Sequence, residues 1–256
     1  MMLTEASIDV FDRWLSVQET NVGRHVLLLC TEKQGACDDV IEELRTVVRS
    51  HYVAPEITAK RLADLDAPKT AEVLRQHVPT SKSARSGDIG EVLATELAER
   101  RLAFRVPIRR LRWKDGRNTA LRGDDIVAVA RDPEGRLKFL KGESKSRQDL
   151  TSTVVDEAAD ALDRDCGRPT RHSVIFVADR LRDQAEDDLA KNLESAVLQS
   201  FRGYTVEHLL FTVSGNNPDT LLSKHLSACT NCMRRHAVGV RIIDHGKFVE
   251  RLFSEL

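Results

Sequence analysis

Two acids and a lysine stand at the ends of two adjacent strand-like stretches, residue types that together could hold a hard cation and activate a water. Leu121 to Ala130 carries Asp125 just before the apolar run Ile126 to Val129, and Arg136 to Lys145 ends in Gly142-Glu143-Ser144-Lys145. Side chains alternate between the two faces of a strand, so Glu143 and Lys145 share a face and Ser144 takes the other. A turn at Asp132-Pro133-Glu134-Gly135 would pair the stretches as a hairpin and set Asp125 beside Glu143. Two carboxylates so placed can share Mg2+ (or Mn2+), which takes oxygen ligands and keeps waters, and the lysine can polarise one of those waters for attack on phosphate.

The elements that must position these groups follow from period and breaker residues. A helix is expected over about residues 88–101, then strands over 104–114, 120–130 and 136–145, a helix over 149–164 and a strand over 172–178. That order is αβββαβ. A C-terminal extension continues with helix 181–200, strand 207–213, helix 219–227, strand 237–243 and helix 246–255, an alternation that favours growth of the same mixed sheet. Ahead of the core, Arg24 to Thr31 reads as a buried strand, Asp38 to Ser50 as a helix with Val40, Ile41, Leu44, Val47 and Val48 on one face, and Lys69 to His77 as a shorter helix. The polar stretch Pro79 to Gly87 suggests a joint, giving an N-terminal α/β segment over residues 1–80 and a second domain over 87–256. No internal repeat or low-complexity segment interrupts this α/β pattern.

The helix at Asp88 presents two stripes. Ile89, Val92, Leu93 and Leu97 make one; Glu91, Ala94 and Ala98 make the other, whose small residues permit close approach to a sheet. That approach would carry Glu91 toward Asp125 and Glu143 as a further metal ligand or a water-mediated contact. Glu96, pointing into the larger apolar stripe, is the second choice.

At 256 residues, 41% apolar and 31% charged, the chain can bury a sizeable core without staples. Its longest apolar run, Val26 to Cys30, is far too short to cross a bilayer, and its first residues lack the basic start and apolar stretch of a signal peptide, so a cytoplasmic location is expected. The five cysteines are then expected as reduced thiols or metal ligands. A net charge of −1 means that nucleic acid would have to be held by a local patch. One candidate precedes Asp125: Arg109, Arg110, Arg112, Lys114 and Arg117, with Trp113 among them. Arg147, two residues beyond Lys145, could add a phosphate contact. No phosphate-cradling loop with a lysine and hydroxyl follows any glycine-rich stretch, so ATP hydrolysis by such a loop is not expected.

Gly87-Asp-Ile-Gly-Glu91, Gly123-Asp-Asp125 and Gly142-Glu143-Ser-Lys145-Ser-Arg147, in that order, resemble the PD-(D/E)xK nuclease superfamily, whose core has the same αβββαβ order, a restriction-endonuclease-like fold. With the N-terminal segment and the Val238 to Leu256 end, the chain is similar to the HamA nuclease family of the Hachiman anti-phage defence system. The resemblance implies Mg2+-dependent hydrolysis of DNA by Glu91, Asp125, Glu143 and Lys145, and a separate helicase partner. Asp124, not proline, precedes Asp125, which leaves the register between the two open. The abutting strand Ile126 to Val129 favours Asp125.

One further constellation is metal-like. His225, Cys229, Cys232 and His236 place a C-x2-C pair between two histidines, ligands that tetrahedral Zn2+ prefers. The spacing departs from the usual zinc fingers, and a continuous helix would instead put all four on one partly buried face.

Overall fold

The computed structural model describes residues 9–230, 233–254 and 256. The chain opens with a short helix, α1 (Val10–Trp14), and a hairpin of β1 (Leu15–Val22) and β2 (His25–Glu32). Three helices follow: α2 (Ala36–Tyr52), α3 (Pro55–Asp64) and α4 (Ala67–Arg75). The long α5 (Lys82–Leu102) leads to the second hairpin, β3 (Ile126–Arg131) and β4 (Leu137–Arg147). After it come α6 (Ser152–Asp163), α7 (Arg171–Asp183), α8 (Asp187–Leu198), β5 (Thr205–Ser214), α9 (Asp219–Ala228), β6 (Arg234–Arg241) and α10 (His245–Phe253).

These strands form one six-stranded mixed sheet in the order β1-β2-β6-β5-β4-β3, with antiparallel hairpins at its two edges and parallel pairs between them. The fold is α/β. The first hairpin is built into this sheet through β2 and β6, where Leu28 pairs with Val238. The joint at residues 79–87 therefore does not divide the sheet.

Helices α2, α5 and α10 pack over one face, where Ile89, Val92 and Leu97 of α5 meet Leu140, Phe211 and Val238 of the strands. On the other face α7 and α8 pack on β3 and β4 around Phe139, and α6 and α9 pack on the centre of the sheet around Leu210 and Ala237. Central strands covered on both faces read as nearly continuous apolar runs, as β5 does.

Two expected strands are not strands. Residues 104–114 contribute only a bridge at Arg105, which exchanges two 2.8 Å backbone hydrogen bonds with Val129. Pro107 has no N–H with which to extend that ladder, and the chain winds instead into a 3-10 turn at Arg110–Trp113. Residues 172–178 belong to α7, started by Thr170, whose hydroxyl accepts the Ser173 N–H. Val174, Val177, Ala178 and Leu181 then share its buried face at helical spacing. The helix expected over 181–200 is broken between α7 and α8, where Ala185 takes a left-handed conformation (φ 58°).

Candidate active site

The hairpin of β3 and β4 fixes the first two acids. Ile126 pairs with Gly142, which puts Asp125 across from Glu143 one step past the ladder. Asp125 Oδ2 accepts two hydrogen bonds from Ser144, from its backbone N–H (2.9 Å) and from its hydroxyl (3.2 Å). Glu143 Oε1 lies 2.7 Å from Lys145 Nζ, and both side chains are largely covered, at 15% and 21% exposure. Asp124 turns elsewhere. It is buried, accepts the Thr170 N–H (2.7 Å) and lies 3.6 Å from Lys141 Nζ, so it fastens the start of α7 to the sheet. Gly123 makes this turn at φ 99°, a conformation that disfavours any side chain.

Glu91 comes from α5. The preceding Gly90 lets the helix close on β4: a methyl there would lie 3.3 Å from the Ser144 hydroxyl and 3.4 Å from Ser146 Cβ. Glu91 and Asp125 thereby line the same small cavity, with Arg110 and His51 in its wall. One turn earlier on α5, Asp88 is buried and holds Lys114 Nζ at 2.8 Å and the Tyr52 hydroxyl at 2.7 Å. Glu96 is paired instead, to His51 Nε2 (2.6 Å) and to the Arg100 guanidinium. Its carboxyl is lowered, because these cations and hydrogen bonds outweigh burial.

The three candidate acids behave oppositely. Burial raises the Glu91 carboxyl well above its ordinary value, and the Asp125 charge raises it further. Glu143 is raised by burial and then by Asp125, against the pull of Lys145. Asp125 itself is raised by burial, although Ser144, Arg110 and Lys145 oppose the shift. Asp125 is thus the acid that the other two both feel. Negative charge gathered under partial burial is the electrostatic signature of a group waiting for a counter-charge.

Oxygen donors of this kind suit Mg2+, which uses one or two carboxylates and completes its shell with water and phosphate. Asp125 and Glu143 fit that two-carboxylate role. Glu91 does not complete a three-ligand cage with them: among the described residues no three His, Cys, Asp or Glu side chains are spaced to hold one ion. Sequence reasoning missed Ser144, which fixes Asp125, and the Asp88–Lys114–Tyr52 group. The serine's parity opposite Glu143 was a signal, whereas the Lys114 contact depends on a turn that no local pattern announces.

Residues 8–256 match the HamA family. The chain belongs to that family. HamA membership covers all but the first seven residues and associates the chain with the Hachiman defence system. No curated protein matches the sequence.

In this HamA chain the expected basic track is mostly consumed within the protein. Arg110 is buried and its guanidinium donates to the carbonyls of Asp124 and Arg122. Lys114 is buried against Asp88, Arg109 pairs with Glu99 (2.6 Å), and Arg112 donates to the Ser50 carbonyl (2.8 Å). Only Arg117 and Arg147 of the six expected residues are exposed. Arg110 lines the site's cavity and the other three brace neighbouring helices, because a loop wound into a turn directs these side chains inward where a flat edge strand would have aimed them outward.

The described zinc candidates are spread over two elements and the segment between them. His225 lies on α9, Cys229 follows its end in an extended conformation, and His236 belongs to β6, so no continuous helix joins them. Cys232 lies outside the described residues. His225 Nε2 is 2.8 Å from Arg235 Nη1, and His236 Nε2 is 2.6 Å from Glu207 Oε2. The thiols of Cys30 and Cys37 are pushed up to about 11 by burial. Among the described residues no helix is long and apolar enough to cross a membrane.

Proposed function

We propose that the chain is a Mg2+-dependent deoxyribonuclease of the PD-(D/E)xK type, acting as the effector of an anti-phage defence complex with a separate helicase partner. The observation that carries this reading is the pairing that sets Asp125 against Glu143 with Lys145 on the next same-face position of β4. Family membership supports the defence setting.

Asp125 and Glu143 would hold the cation. When bound, Mg2+ supplies a polarised water and neutralises charge on the phosphate. Ser144 keeps Asp125 in place through its two hydrogen bonds. Lys145 accepts the role of orienting the attacking water and offsetting charge that develops on the phosphate oxygens. The ion pair with Glu143 holds its ammonium at the site. Glu91, raised well above its usual range, adds a proton-holding carboxyl beside Asp125.

The test is incubation of the purified protein with plasmid and with single-stranded DNA, in Mg2+ or in EDTA, with and without any helicase encoded beside it. Cutting that needs Mg2+ and disappears in Glu143→Ala and Lys145→Ala supports the reading. Absence of cutting in every condition would instead favour a nuclease-like DNA-binding or sensor subunit.

A further inference from the structure

Past Lys145, β4 runs into a cavity of about 780 Å3 between the first turns of α5 and the length of α10. Its floor is the buried Ser146, whose hydroxyl lies 2.8 Å from His245 Nε2 and 3.0 Å from the Ser86 hydroxyl. Three cations surround this floor. Arg147 is exposed and donates to the Ser146 carbonyl (2.8 Å). Lys82 reaches Glu250, the carboxylate in the lining, at 2.9 Å. Arg85 lies 5.3 Å over the Phe253 ring, tied by Nε to the Pro79 carbonyl (2.9 Å), and so lines the cavity as a flat, fixed cation. Val249 and Phe253 form the apolar wall.

We propose that this cavity receives an unpaired nucleotide of a DNA strand whose neighbouring phosphate lies at Glu143 and Lys145, an inference that rests on the hydrolytic reading above. The size matches a small-molecule site. Cations, fixed hydroxyls and an apolar wall in one concavity match the three parts of a nucleotide: phosphate, sugar and base. Planar guanidinium groups and aromatic-lined walls accept bases only when these are unstacked from a duplex. Ser146 faces α5 and α10, whereas Lys145 and Arg147 share the other strand face about 7 Å apart, comparable with the step between successive phosphates of an extended single strand. Arg147, exposed at the end of β4, also lines the cavity and so joins the two sides around the strand end. The cavity therefore selects unpaired strand over duplex, the form that a helicase produces.

The experiment measures fluorescence anisotropy of a labelled short single-stranded oligonucleotide with the full chain in EDTA, where nothing is cut. Competitors are a mononucleotide, inorganic phosphate and a blunt duplex of the same sequence. Arg147→Glu and Lys82→Glu alter exposed side chains and leave the core intact, which circular dichroism verifies. Expected are at least a tenfold loss of affinity in the double variant, competition by the mononucleotide and weaker competition by the duplex. Unchanged affinity in the double variant overturns the proposal, as does a duplex that competes as well as single strand, or phosphate that competes as well as the mononucleotide. Binding that depends on Arg147 in a protein that cuts nothing supports the cavity and contradicts the hydrolytic reading. Mg2+-dependent cutting with Arg147-independent binding does the reverse.

Discussion

Two clusters of buried charge sit at opposite ends of the central strands, and they are built on opposite principles. At the starts of β5 and β6, Glu207 meets His236 (2.6 Å) and Lys138 (3.2 Å), and Arg235 meets Asp163 (2.6 Å), His225 and His208. Glu207 is held down to about 2, with burial outweighed by its histidine and lysine. His208 is pushed down to about 4, by burial first. At the end of β4, Glu91, Asp125 and Glu143 are raised, by burial and by one another. The first cluster is electrically complete and serves the fold. In the second, nearby cations do not outweigh burial and mutual repulsion, a condition that a bound cation would relieve.

Removing the lysine should have the largest effect. Lys145→Ala should lower Mg2+-dependent cleavage by about 10²–10³-fold, the usual worth of one positioned charge-stabilising donor, while the melting temperature stays close to that of the parent. A variant that cuts normally removes Lys145 from the mechanism. In the complete cluster the expectation inverts. Glu207→Ala should leave cutting unchanged and destabilise the protein by about 2–4 kcal/mol, read by urea unfolding, because it strands His236 and Lys138.

A smaller effect of opposite sign is expected for Glu91→Gln. An acid whose folded value is raised disfavours the folded state as pH rises through that value, so its neutral replacement should stabilise the protein at about pH 8 by about 0.5–2 kcal/mol. The gain should shrink as pH falls below the carboxyl range. Glu207 titrates the other way. Its stabilisation is present above the unfolded value of about 4.3 and is lost as pH falls toward its folded value. Thermal melts of the parent, Glu91→Gln and Glu207→Gln across pH would show difference curves of opposite sign. Curves of the same sign would mean that the two clusters do not differ as described.

Much of this was legible in the sequence, and the exceptions have physical causes. The β3–β4 hairpin, with Asp125 facing Glu143, followed from side-chain alternation and a turn of the right composition. Helix α5 followed from its two stripes, whereas the close approach at Gly90 shows only once the helix is packed on β4. Residues 172–178 were misread because Val174 to Ala178 is an unbroken apolar run, in which strand and helix periods cannot be told apart. The cap at Thr170 and the continuation to Leu181 decide for helix. β1 passed unseen because it is an edge strand with six consecutive exposed positions and no alternation to detect. The braces made by Arg109, Arg110, Arg112 and Lys114 depend on partners far along the chain, so their density suggested an outward track that the turn at Arg110–Trp113 redirects inward.

The central claim is that Asp125 and Glu143 want for a cation and that the paired cluster does not. Titration of Mn2+ followed by electron paramagnetic resonance, on the parent chain and on Asp125→Asn, Glu143→Gln and Glu207→Gln, tests it without any requirement for cleavage. Saturable binding is expected in the parent and in Glu207→Gln, weakened by at least about tenfold in the other two, a loss in the range seen when a site loses a supporting group. Equal binding in all four proteins, or loss in Glu207→Gln alone, would contradict it.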